Sequence, residues 1–154
     1  MANITKSIND NKKFVVLYGE KESQKEDFAE TLCVYLFERR IIDNYEIISV
    51  STEFDFNNLK NALKTNIDIK KKIKVIKFDN KENNTNFDNY IKINNEFLIN
   101  INDYDKNTFF IFLFNLEKNT FKSKLDEYMS QNQKRLNATL ENDKNLFYIE
   151  KNEK

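Results

Sequence analysis

Short continuous apolar runs alternate along this chain with longer segments in which apolar positions recur every third or fourth residue. Phe14-Val15-Val16-Leu17-Tyr18 is the first such run. It has no polar position, so it predicts a strand covered on both faces, as in a parallel sheet. It ends at Gly19. Phe28, Leu32 and Leu36, with Ala29, Cys33 and Tyr35 beside them, then mark the buried face of a helix reaching about Arg40. Ser23-Gln24-Lys25-Glu26 has the form of a capping box at its start, and Arg39 and Arg40 suit the negative end of its dipole. Tyr45–Val50 predicts a second strand. Thr52 is placed to cap a second helix whose stripe is Phe56, Leu59 and Leu63. Ile73–Phe78 is a third strand, and its interleaved lysines predict a wetter face or an edge position.

Phe87, Tyr90, Ile91, Asn94, Phe97, Leu98 and Ile101 keep helical spacing, which predicts a helix over about 86–101. Phe109–Phe114 is the most hydrophobic run and reads as the central strand; with every position apolar, its aromatics belong to a core rather than to a base-stacking surface. Phe121, Leu125, Tyr128, Met129 and Leu136 predict a last helix, from Asn119 or Thr120 to about Leu140, before a closing strand over Asn145–Glu150. This alternation predicts one α/β domain over 13–150: three layers, with a largely parallel five-stranded sheet flanked by helices. Residues 1–12 are expected to form a flexible amino-terminal segment and 151–154 a solvated tail.

Composition narrows the chemistry. Twenty-five Lys and Arg balance 25 Asp and Glu, so no global basic field draws the chain to nucleic acid, although a local patch is compatible with that balance. The 14 Phe argue for a packed core over disorder. There is no His and one Cys, which excludes His/Cys zinc sites, His-based triads and an internal disulfide. Cys33 falls in an apolar run and reads as a structural thiol, and a reducing, cytoplasmic setting fits. No stretch approaches the ~20 apolar residues of a membrane span, and Met1–Lys13 lacks the apolar region of a signal peptide.

The segment Gly19-Glu20-Lys21-Glu22-Ser23-Gln24-Lys25-Glu26 lies between a predicted strand and helix, where nucleotide-binding folds hold phosphate. Against the phosphate-loop pattern G-x-x-x-x-G-K-[ST], Gly19 and Lys25 match. Gln24 replaces the second glycine and Glu26 the magnesium-binding hydroxyl. The backbone freedom that lets amides wrap a phosphate is lost. Glu20, Glu22 and Glu26 would repel a triphosphate, so the loop reads as inactive, with neither catalytic residues nor cofactor expected. Asp79 and Glu117 follow the third and fourth strands and would be the carboxylates for magnesium, but isolated acids at strand ends usually form turns. No metal site is expected. Ile67 and Ile69 stand in a polar segment between a helix and a strand, either capping the core or forming an exposed plug for a partner's pocket. Lys70-Lys71-Lys72 reads as a solvated edge, with phosphate contact as the minority option.

In their order, Val16-Leu17-Tyr18-Gly19-Glu20-Lys21-Glu22, the helix ending Leu63-Lys64-Thr65 before an apolar pair, Ile73–Asn80 and Phe109–Phe114 resemble the N-terminal domain of the bacterial DNA polymerase III delta subunit. The resemblance covers about 13–150. It implies a P-loop-like fold of the AAA+ type with a degenerate phosphate loop and no ATP hydrolysis, in a clamp-loader subunit that binds the DNA sliding clamp and opens one of its interfaces during replication. It puts the clamp-binding pair at Thr65–Ile69, hence at Ile67 and Ile69. It implies the clamp as partner, other loader subunits where a longer chain exists, only indirect contact with DNA, and no membrane. The match is to the first domain alone, which implies an excised domain or a shortened relative. Two other readings stand beside it: an atypical P-loop NTPase or kinase-like enzyme using Lys25 on phosphate and Asp79 or Glu117 on magnesium, and a small flavodoxin-like signalling domain.

Overall fold

The computed structural model describes residues 13–20, 23–65, 70–78, 86–103, 107–133, 135–139 and 145–150. Five strands and four helices alternate: β1 Phe14–Gly19, α1 Lys25–Glu38, β2 Asn44–Val50, α2 Glu53–Thr65, β3 Lys72–Phe78, α3 Asn86–Glu96, β4 Thr108–Asn115, α4 Lys118–Asn132 and β5 Leu146–Tyr148. A 3-10 turn over Leu98–Asp103 follows α3. The strands form one sheet in the order β2-β3-β4-β1-β5, and every pair is parallel. The apolar β4 occupies the centre, as its composition predicts.

The alternation of side chains along each strand sorts the core into two halves. Val15, Leu17, Ile73, Val75, Phe109, Ile111 and Leu113 face α1, which contributes Ala29, Leu32, Cys33 and Leu36. Phe14, Val16, Tyr18, Ile76, Phe78, Phe110, Phe112 and Phe114 face α2, α3 and α4 on the other side. Aromatic rings interlock there. Tyr90 meets Phe114 and Phe121 edge-on at 5.5 and 4.8 Å, and Phe97 meets Phe110 at 5.1 Å. Among the described residues, one layer of the sandwich is therefore a single helix and the other is three.

Several local expectations change. Tyr35 is exposed, because a single helix offers the sheet only the stripe through Lys25, Ala29, Leu32, Cys33 and Leu36. β3 is not an edge: β2 shields it, and Lys74 pairs with Glu46 of β2 at 2.7 Å. The third helix ends at Glu96 and its last turn tightens to 3-10. The last helix stops at Asn132, where Gln133 adopts a left-handed backbone. Leu136 is buried, but from an irregular segment: the Ala138 amide donates to Asn94 Oδ1 at 3.0 Å, and Asn94 Nδ2 donates to the Tyr90 carbonyl. Thr52 does cap α2, accepting from the Asp55 amide at 3.1 Å, while Asp55 accepts from the Ser51 amide in return. No helix among the described residues is long and apolar enough to cross a membrane.

Candidate functional site

In an open parallel sheet, ligands bind outside the carboxyl ends of neighbouring strands whose crossovers leave to opposite faces. Here those strands are β1, followed by α1 on one face, and β4, followed by α4 on the other. A cleft of about 340 Å³ opens beside this switch point, walled by Ser23–Asp27, Lys77 and Phe78 of β3, and Leu113 and Asn115 of β4. Gly19, Gln24, Lys25 and Glu26 are therefore where a nucleotide-binding fold places its phosphate loop. Their chemistry is different.

Gly19 does not take a left-handed backbone. Its need is space: a Cβ there would overlap the Ile149 carbonyl oxygen and lie 2.9 Å from Ser23 Oγ. The glycine lets the end of β5 close on the turn. From Gly19 the chain bends through a turn closed by the Ser23 amide donating to the Glu20 carbonyl at 3.0 Å. Ser23 Oγ donates to the same carbonyl at 2.7 Å. The predicted capping box is thus absent: Gln24 takes the N-cap position without a side-chain cap bond, and Glu26 turns to Lys77 on β3, at 3.1 and 3.3 Å.

Lys25 is only 4% exposed. Its ammonium donates to the Glu20 carbonyl at 2.7 Å, to Ser23 Oγ at 2.9 Å and to the Gly19 carbonyl at 3.3 Å. The lysine that the motif would lay along a β- or γ-phosphate instead clips its own loop shut. Loop carbonyls point at a cation here, where a working phosphate loop points amides at an anion. In the rest of the cleft Lys77 is paired with Glu26, and Asp27, in the first turn of α1, leaves one net negative charge. The geometry disfavours a triphosphate and leaves room for a small polar group.

Glu117 caps α4, accepting from the Asn119 and Thr120 amides at 3.1 and 2.8 Å and from the Thr120 hydroxyl at 2.8 Å. These bonds hold its carboxyl below its ordinary range. The carboxylate considered for magnesium is therefore a helix cap. Asp79, Ile67 and Ile69 lie outside the described residues. The segment holding the two isoleucines joins the end of α2 to the start of β3, and those flanks stand at the sheet's amino edge, opposite the Gly19 turn. Among the described residues no group of three or more His, Cys, Asp or Glu is arranged to hold a metal ion. Cys33 is fully buried, and burial, then the Glu30 carboxylate, pushes its thiol up to about 12, which fits the structural role expected of it.

Lys77, Asn115 and Asp27 line the cleft without having been singled out from sequence. The rule that strand carboxyl ends form the crevice would have pointed to the first two, once the strands were ordered. Compared with protein-family models, with curated proteins and with solved structures, the chain finds no match in any of the three.

Proposed function

We propose that this chain is a non-catalytic, AAA+-like domain of the clamp-loader delta type, which binds the DNA sliding clamp in the cytoplasm and helps to open it during replication. The observation that carries the reading is Lys25. A strand, a turn at Gly19 and a helix stand where a P-loop fold has them, yet the motif lysine is bonded to its own loop. That combination supports descent from a nucleotide-binding fold without nucleotide chemistry. The sheet order adds support. It runs 2-3-4-1-5, whereas the flavodoxin-like alternative would run 2-1-3-4-5. The working surface is then the segment bearing Ile67 and Ile69.

The test is binding of the purified chain to the sliding clamp of its own genome, wild type against Ile67→Ser/Ile69→Ser. Binding by the wild type that the double variant loses is the expected result. Equal affinity moves the contact elsewhere, and no binding by the wild type overturns the reading. Titration with Mg-ATP separates it from the NTPase or kinase-like alternative. A micromolar dissociation constant abolished by Lys25→Ala would put that alternative first.

A further inference from the structure

The amino edge of the sheet, away from the cleft, gathers cations and exposed aromatic rings. Helix α1 ends in a Schellman motif: the Arg40 amide donates to the Phe37 carbonyl at 3.1 Å and the Ile41 amide to the Leu36 carbonyl at 2.9 Å. The motif needs a left-handed residue at Arg40, whose φ is 63°. Glycine fills that seat without strain and asparagine with little. This chain is rich in asparagine yet seats an arginine there. A residue kept in a strained backbone is a reason to look for function nearby.

The neighbourhood supplies one. Arg39 lays its guanidinium over the Tyr35 ring, 4.4 Å from the centroid. Tyr35 and Phe37 are 38% and 49% exposed, and Phe37 stands edge-on to Tyr45 of β2. The same loop is stitched to the lysine run. The Asp43 amide donates to the Lys71 carbonyl at 2.7 Å, and the Lys71 amide donates to Asp43 Oδ2 at 3.0 Å. Asn44 then pairs in register with Lys72. Arg39, Arg40, Lys70 and Lys71 are all exposed. The acids among the described residues here are Glu38, Asp43 and Glu46. Glu46 is paired with Lys74; Asp43 accepts only a neutral amide and, like Glu38, keeps its charge, so the four cations Arg39, Arg40, Lys70 and Lys71 stand against two acids. A chain of zero net charge thus carries a local cationic edge interleaved with aromatic rings, the combination by which proteins hold single-stranded nucleic acid.

We propose that this edge binds single-stranded nucleic acid directly, Arg39, Arg40, Lys70 and Lys71 neutralising phosphates while Tyr35 and Phe37 stack bases. The inference is independent of clamp binding. It is tested by fluorescence anisotropy of labelled oligo-dT and oligo-rU, about 20 nucleotides long to exceed the usual site size, titrated with the full chain between about 50 and 200 mM salt. Four phosphate contacts give a log–log salt slope of about −3, at roughly 0.7 per contact on a single strand. Lys70→Gln/Lys71→Gln is expected to flatten that slope by about 1.4. Phe37→Ser is expected to weaken binding about tenfold with the slope unchanged, as loss of one stacked base would. Arg40→Gly supplies a variant that cannot fail by unfolding: it relieves the left-handed strain, so its melting temperature is expected to rise while its affinity and slope fall. Ile67→Ser/Ile69→Ser is expected to leave oligonucleotide binding intact whatever it does to the clamp. Absence of binding by the wild type at the lowest salt overturns the proposal. So does an oligonucleotide affinity unmoved by the charge variants that instead weaken clamp binding, which would assign the edge to an acidic protein surface.

Discussion

Replacing Lys25 by methionine separates a loop clip from a phosphate ligand, because the two roles predict opposite outcomes. Methionine keeps most of the buried stem and removes the three N–H donors. Hydrogen bonds to a charged group are worth about 1.5–3 kcal/mol each, and much of that arises when an acceptor is left unpaired. Here no acceptor is. The Gly19 carbonyl still takes the Leu116 amide at 2.8 Å, and the Glu20 carbonyl still takes the Ser23 amide and hydroxyl. Ser23 Oγ keeps its donation to Glu20. Removing a buried ammonium also recovers part of its desolvation. The net loss therefore belongs near the low end of the range for a single bond, about 2 kcal/mol.

That loss is measurable. In a domain of this size it lowers the melting temperature by roughly 4–8 °C. In urea it lowers the midpoint at unchanged slope, followed by far-UV circular dichroism because the chain has no tryptophan to report. Mg-ATP calorimetry on both proteins completes the comparison, with no binding expected from either. A phosphate-binding lysine would behave the other way: its replacement would leave stability within about 0.5 kcal/mol, as for a solvent-facing side chain, and would abolish nucleotide binding. That result would refute the assignment of Lys25 as a clip and with it the main support for a non-catalytic domain.

Other perturbations test neighbouring parts of the argument. Gly19→Ala drives a methyl group into the Ile149 carbonyl and is expected to cost about 2 kcal/mol or more, seen as a lower urea midpoint; an unchanged midpoint would mean that the end of β5 does not close on the turn. Cys33, with its thiol pushed up to about 12, is expected to resist a thiol-specific dye at pH 8 until urea unfolds the protein, so that labelling follows the unfolding curve. Glu117 has a depressed carboxyl, so its contribution to stability is present above the ordinary glutamate range and is lost as pH falls through the lower folded value. Glu117→Gln is expected to flatten that acid limb, compared as urea midpoints at pH 7 and pH 3; equal limbs would remove the cap from the account of α4.

Element order and core membership were legible because they are written in local patterns. The apolar Phe109–Phe114 run marked the central strand, and the period of Phe28, Leu32 and Leu36, with Ala29 and Cys33 beside them, marked the face of α1 on the sheet, where Phe28 is only partly buried. What was illegible depends on partners distant in sequence. Tyr35 fits the apolar stripe of α1, yet one helix alone on a sheet face has an outer side, and Tyr35 is on it. The lysines of β3 suggested a wetter face or an edge because their partners, Glu46 on β2 and Glu26 on α1, cannot be paired with them from spacing. The fate of the last helix was hidden for the same reason. Leu136 keeps the helical period and is buried, but its segment is held by the Ala138 amide donating to Asn94 Oδ1, far back on α3.

The Gly19–Glu26 segment shows the limit most sharply, since a motif specifies residue types and not where their side chains go. Gly19 and Lys25 match a phosphate loop, but the glycine is needed for the approach of Ile149 and the lysine is turned onto carbonyls. Gln24 and Glu26 already indicated lost chemistry; only the fold indicates what replaced it. In the cleft, Lys25 is satisfied by its loop and Lys77 by Glu26, so the site where this fold usually works is internally neutralised. At the amino edge Arg40 holds a strained seat, and Arg39 lies on an exposed ring. On the two proposals made above, a domain whose old site is closed has its recognition surface at the opposite edge, where cations and aromatic rings are displayed. The clamp and oligonucleotide experiments both address that edge, and they divide it between a protein partner and a nucleic acid.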